Sequence, residues 1–315
     1  MTSLASWRFI FWGYVPLAVA LAAIIARTAP PSEDSGRDRP RSLNLGASVT
    51  FTAAVMAFVV GATLIVPPGG RLAGGLLLAS FLLLTVLFVA IDRRAAAPLL
   101  PREVTRAANL RQGAWGAFLN TATTSSAVTL VTLYLQNTLR RTPLQAAAAL
   151  LPFSLAVIGG SALAPRLQRP LGPRGTMAIG LLAIAAADIA LVWGAAAAWA
   201  VPLCAAVAGG GIGLSSVAAT GVGTDVAAYW RGSASGIINT AAQLGTAVGI
   251  AILLLVAAAT TGTPAPGIAP PRLAWAVAAL TAAAGAAVFA RPRRATPSPG
   301  LSGRRVAPPP RQTAR

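Results

Sequence analysis

The chain has 315 residues, 56% of them hydrophobic and only 10% charged, with a mean hydropathy of +0.70 and a formal net charge of +18. A soluble globular domain carries about 25% charged residues, so this chain lacks the charge to cover a water-facing surface. It has no histidine and one cysteine, Cys204, which rules out an intrachain disulfide, a His/Cys metal centre and Ser–His or Cys–His catalysis.

Nine apolar runs follow in chain order: Phe9–Ala26, Leu43–Val66, Leu72–Ile91, Gly113–Leu135, Leu144–Ala164, Thr176–Trp199, Val201–Gly223, Ala234–Ala259 and Leu273–Ala290. Each is near the roughly 20 residues a helix needs to cross about 30 Å of hydrocarbon. No arginine interrupts them, and the alternation of a membrane barrel is missing. The predicted fold class is therefore all-α, a polytopic transmembrane bundle of about nine spanning helices.

All 25 basic residues are arginine, and they are sorted by gap. Twenty fall in one alternating set of segments: Arg27–Arg41, Arg93–Arg111, Arg166–Arg174, Arg231 and the tail from Arg291. Arg8, Arg71, Arg140, Arg141 and Arg272 make up the opposite set. Cationic loops are retained in the cytoplasm, so the N-terminus is predicted outside and the C-terminus inside, in a multi-pass protein of the cytoplasmic membrane. Trp7, Trp12, Trp199 and Trp275 at outer boundaries, with Trp115 and Trp230 at inner ones, read as aromatic belts. Because the arginines flank apolar runs, with no aromatic-interleaved basic patch, the lipid bilayer is the expected partner and nucleic acid is not.

The organisation is a first span over 1–27, a cytoplasmic linker over 28–42, two spans over 43–91, a cytoplasmic loop over 92–111, a six-helix unit over 112–290 and a disordered basic tail over 291–315. Met1–Ala29 also resembles a secretory signal peptide, although its apolar run exceeds the usual h-region of about 7–15 residues.

Two features carry candidate chemistry. Asp188 is the one acidic residue deep within a span, where a charge costs about 2.5–3.5 kcal/mol on insertion scales. It reads as a proton or substrate site, or equally as a hydrogen-bonded group joining two helices. The fourth run is unusually polar: Asn120 and Thr124 share a face, as do Thr121 and Ser125. They line an aqueous cavity near Asp188 or, on the plainer reading, bond helix to helix. Cys204 reads as a small buried hydrophobe. The Gly-x-x-x-Gly spacings Gly209–Gly213, Gly232–Gly236 and Gly245–Gly249 signal close helix packing. Gly209–Gly213 has neither the spacing nor the preceding strand of a dinucleotide loop, and no residue set is placed for a metal, a cofactor or an enzyme's reaction.

Several stretches resemble the major facilitator superfamily, specifically its fourteen-helix drug–proton antiporters. Trp7-Arg8-Phe9 through Val15-Pro16 is similar to the opening of the family's sixth helix, with Tyr14 where Asn is usual. Leu133-Tyr134-Leu135-Gln136, Thr142-Pro143-Leu144-Gln145 and Leu151-Pro152 resemble its ninth helix, outer loop and tenth helix. Gly160–Arg174 is similar to a degenerate second copy of its cytoplasmic loop motif, and Arg231-Gly232 through Asn239 to Gln243-Leu244-Gly245 resembles the entry to its thirteenth helix, with Ala242 where Arg is common. The resemblance implies helices six to fourteen: a C-terminal six-helix half plus accessory helices, lacking helices one to five. It implies proton-driven export of small amphipathic molecules, with Asp188, Asn120, Thr121, Thr124, Ser125, Asn239 and Gln243 as pathway candidates. Arg231, Gly232, Gly236, Gly245, Gly249, Gln136 and Pro152 are the motif and packing positions. The alternative expectation is a non-transporting remnant, or half of a split transporter completed by a separate N-terminal chain.

Overall fold

The computed structural model describes residues 8–28, 44–64, 68–95, 98, 105–195, 197, 199–227, 230–261 and 271–291. The linker, much of the loop before residue 105, the basic tail and Trp7 lie outside them. The helices are α1 (Arg8–Thr28), α2 (Leu45–Leu64), α3 (Arg71–Arg94), α4 (Ala108–Leu133), α5 (Pro143–Gly194), α6 (Ala200–Gly223), α7 (Arg231–Thr261) and α8 (Arg272–Ala290). Among the described residues there is no strand. Each of the nine apolar runs falls on helix, because α5 carries two of them. By length and hydropathy alone, α3, α5, α6, α7 and α8 qualify as membrane spans. α4 is too rich in Asn, Ser and Thr to do so, and α1 and α2 contribute the shorter apolar segments Tyr14–Thr28 and Leu45–Gly61.

The expected loop between the fifth and sixth runs is a helix broken at a single residue. Gly172, at φ 70° and ψ 172°, is the one non-helical position in the 52 residues of α5. Pro173 bars its neighbour from the α region, and only glycine takes this dihedral pair without strain. Residues 143–171 and 173–194 thus form two arms, and Arg166, Arg169 and Arg174 ride on helix. The start of α5 is equally local in origin. Thr142 Oγ1 accepts from the Gln145 backbone N–H at 3.3 Å, and Gln145 Oε1 accepts from the Thr142 N–H at 3.1 Å, with Pro143 at the first helical position. This capping box leaves fewer donors unsatisfied at a membrane-helix end. Before it, α4 widens into a π-helical turn, Tyr134–Thr138, that contains Gln136.

The body α4–α8 is assembled by backbone approach. α6 lies between the two arms of α5. A Cβ added at Gly209 or Gly213 would fall on the carbonyl oxygens of Phe153 or Val157 in the first arm, and one at Gly211 would sit 2.5 Å from the Gly180 carbonyl in the second. α4 and α7 meet in the same way, Gly245 against the Phe118 carbonyl and Gly249 against that of Ala122. In a bilayer apolar faces have no drive to leave lipid, so small residues that permit close van der Waals contact specify association. Gly232 and Gly236 do not follow this pattern, since a side chain there would meet nothing within 4 Å. They sit on the exposed face of α7.

At the arginine-rich end, Arg174 fastens three helices. Its guanidinium donates to Gln112 Oε1 of α4 at 3.3 Å, to the Val288 carbonyl of α8 at 2.9 Å and to that of Arg291 at 3.3 Å, and lies over the Phe289 ring at 5.7 Å. At the opposite end Trp275 is fully buried, packed edge-on to Tyr134 with ring centroids 5.8 Å apart. The belt reading of Trp275 is therefore corrected: it is a core residue. Trp12, Trp115 and Trp199 are exposed, as lipid-facing belt residues must be. Cys204 is buried.

The pair α2–α3 packs mainly on itself, through Phe51 against Phe88 (5.1 Å) and Phe58 against Phe81 (5.0 Å), and touches the body lightly along α7. α1 is exposed along its described length.

Candidate functional site: a polar cavity in the helix body

A cavity of about 410 Å³ lies between α4, α6 and α7, and its polar lining is Asn120, Thr121, Ser216, Thr220, Ser235 and Asn239. Along each helix these positions run from near the arginine-rich end to about mid-span. The polarity of α4 is mostly silent elsewhere. Hydroxyls on spans usually donate back to the carbonyl four residues earlier, as do Thr123 to Leu119, Thr132 to Val128 and Ser215 to Gly211, and so exert no pull on a ligand or another helix.

Two residues depart from that rule and build the site. Asn120 Nδ2 donates to Ser216 Oγ at 2.7 Å, joining α4 to α6, while its Oδ1 has no partner among the described residues. Thr121 Oγ1 has its closest acceptor across the seam, the Ala242 carbonyl of α7 at 2.6 Å. Asn120 is fully buried behind the cavity wall, and a buried polar atom without a partner costs about 1–3 kcal/mol. Thr220, Ser235 and Asn239 are exposed, so the cavity opens to one side of the body.

The structure brings Asn120, Thr121 and Asn239 together and separates the other candidates. Thr124 is fully buried below the cavity, its Oγ1 unpartnered among the described residues. The side chain of Ser125 lies outside the described residues. Gln243 is exposed on α7 and does not line the cavity. Asp188 is on the second arm of α5, 1% exposed, with Oδ2 unpartnered among the described residues and Cys204 of α6 within electrostatic reach. It is not on the cavity wall, so the expected cavity near Asp188 is two separate features. Arg231 borders a second opening with Asp225 and Gln168 at the arginine-rich end, and Gln136 and Pro152 are half-buried helix positions away from the cavity. Ser216, Thr220 and Ser235 were not singled out in the sequence. Their signal was the same i, i+4 spacing, Ser216 with Thr220 and Ser235 with Asn239, that marked α4.

A body of long apolar helices with a polar cavity opening to one side has the build of a membrane transport protein. The chain belongs to the Major Facilitator Superfamily, whose sequence model matches residues 1–250. It is 31% identical to the puromycin resistance protein of Streptomyces alboniger over 83% of this chain and 53% of that one. It is 27% identical to the tetracenomycin C resistance and export protein of Streptomyces glaucescens over 81% of this chain and 48% of that one. To the cephamycin export protein of Amycolatopsis lactamdurans it is 29% identical, over 84% and 56%. The chain spans about half the length of these relatives.

Proposed function

We propose that this chain forms one wall of a proton-driven export path for small amphipathic molecules in the cytoplasmic membrane, with the cavity around Asn120 as its substrate surface. The observation that carries the reading is the open polar face. Thr220 and Ser235, about one turn in from the arginine-rich end, and Asn239, about two turns in, are exposed on one side of the body, and polar side chains on spans face a bundle interior or a water-filled cavity in preference to lipid. A second bundle is therefore needed to cover them, and transporters of this build move substrate by rocking one half against the other around such a seam. The export and resistance activities named for the relatives support the substrate class. We assign Asp188 to proton coupling because it is buried near the middle of a span, unlike Asp92 at the end of α3, and the arginine alternation supports an N-terminus outside and a C-terminus in the cytoplasm.

The test is drug susceptibility in an efflux-deficient bacterium. Expressed alone, the 315-residue chain is expected to leave susceptibility to puromycin and ethidium unchanged. Fused behind the N-terminal half of the puromycin resistance relative, it is expected to confer resistance that Asn120→Leu removes and Asp188→Asn uncouples from the proton gradient. Resistance from the chain alone would discard the one-wall reading. A fusion that exports equally well with Asn120→Leu would discard the cavity.

A further inference from the structure

A second cavity, about 480 Å³, lies between the α2–α3 pair and the body. Its walls are apolar: Phe51 and Phe88 from the pair, Leu110 from α4, and Ile237, Ala241 and Leu244 from α7. Among the described residues the charged side chain that borders it is Arg111, at the start of α4. The elements that contribute are the start of α2, the end of α3 and the starts of α4 and α7, which the antiparallel threading places at one membrane end, the arginine-rich one. The slot thus has a cationic mouth and an apolar shaft.

Its dimensions match one leaflet. Ser233, near the mouth, and Leu244 both line it; at 1.5 Å per residue they are about 16 Å apart along α7, close to half of a hydrocarbon core of about 30 Å. The volume falls within the range of about 300–1,000 Å³ typical of small-molecule sites. A lipophilic cation would meet Arg111 with like charge, whereas a phosphodiester head group pairs with a guanidinium in two-pronged fashion. The α2–α3 pair touches the body only lightly, so a ligand in the slot adds contact between the two.

We propose that the slot between α2–α3 and α4–α7 holds an anionic glycerophospholipid, its phosphate on Arg111 and one acyl chain between Phe51, Phe88 and Ile237, and that this lipid completes the attachment of the pair to the body. The site lies across α7 from the polar cavity, and Gly236 borders both. Anionic lipid is also what the arginine-rich end of the protein meets at the membrane surface.

Native mass spectrometry of the full chain in a neutral detergent tests this, with phosphatidylglycerol and phosphatidylcholine of identical acyl chains as probes. Phosphatidylglycerol is expected to be retained in preference to phosphatidylcholine. Arg111→Gln is expected to weaken its retention about tenfold, the loss of one charge-assisted contact, while Arg111→Lys keeps most of it. Ala241→Phe, which fills the shaft, is expected to abolish retention of both lipids without lowering the lipid-free melting temperature, and serves as the deciding variant if Arg111→Gln yields no folded protein. Equal retention of the two lipids, or retention unaffected by Ala241→Phe, would overturn the proposal. So would displacement by glycerol phosphate alone, which would make this a plain anion site, or by ethidium, which would make it part of the substrate path.

Discussion

The body α4–α8 and the α2–α3 pair are built from nearly the same apolar alphabet yet hold together in different ways. Of the most apolar stretch of α3, 11% is buried; of that of α6, 56%. In the body, glycines let backbones touch, and side chains such as Asn120 and Thr121 bond across the seams. In the pair, two tilted ring contacts and one bond from Asn44 to Asp92 at 3.3 Å accompany the approach at Gly61, where a Cβ would lie 3.1 Å from the Gly74 carbonyl. Where lipid is as apolar as leucine, hydrophobicity does not choose between neighbours; geometry and polar contacts do. The body is specified by such contacts and the pair's attachment to it is not, so substitutions of equal size should differ sharply in effect between the two regions.

The largest contrast is at glycine. Gly249→Leu places a side chain onto the Ala122 carbonyl, and Gly75→Leu places the same side chain on α3 where nothing lies within 4 Å. Overpacking a close-packed seam costs about 1–3 kcal/mol even when side chains can shift, and backbone cannot. Gly249→Leu is expected to abolish the monodisperse peak in size-exclusion chromatography, while Gly75→Leu behaves as the parent. A well-behaved Gly249→Leu protein would remove the distinction drawn between the two regions.

The next contrast is at arginine. Arg174→Ala removes the bonds to Gln112, Val288 and Arg291 and the contact with Phe289 at once. A hydrogen bond from a charged group contributes about 1.5–3 kcal/mol, so a loss near 2 kcal/mol is expected. Arg71→Ala, at the exposed start of α3, is expected to stay within about 0.5 kcal/mol. Thermal melts in detergent read both, and equal shifts would show that Arg174 holds no more than a surface arginine does.

Much of the fold was legible because insertion into a bilayer demands long unbroken apolar runs, and these fell on helix, two of them on the single broken helix α5. The inward faces were not legible, for a related reason: a helix that is apolar all round has no polar side to declare which face is buried. That is why Gly232–Gly236 and Gly245–Gly249, alike in spacing, ended up on an open face and in a seam. Trp275, alike in position to Trp199, went into the core because Tyr134 stands opposite it. Half of the cavity's polar wall was visible, Asn120 and Thr121 in the crowded polar stretch of α4 and Asn239 in the motif that opens α7. The other half, Ser216, Thr220 and Ser235, was diluted among alanines and glycines. Asp188 stood out by rarity, but rarity carries no position, and the structure sets it apart from the cavity.

The smallest expected effect compares the two hairpin turns. Between α2 and α3 the chain uses Gly70, where a Cβ would fall on the Leu64 carbonyl. Between α4 and α5 it uses Arg140, the one non-glycine residue at positive φ among those described, at φ 52°, just after the π-helical turn whose end is closed by the Arg141 N–H donating to the Leu135 carbonyl at 2.9 Å. A left-handed L-residue costs about 1–2 kcal/mol, and glycine at such a site recovers that cost while adding about 0.5–1 kcal/mol of unfolded-state entropy. Arg140→Gly is therefore expected to stabilise the protein by about 0.5 kcal/mol, a rise of roughly 1–2 °C in melting temperature. Gly70→Ala is expected to lower it by more than that, since its Cβ has no room. The sign is the decisive readout. The body is the better-packed region yet carries the more strained turn, and a fall in melting temperature for Arg140→Gly would show that the Arg140 side chain earns its conformation through contacts of its own.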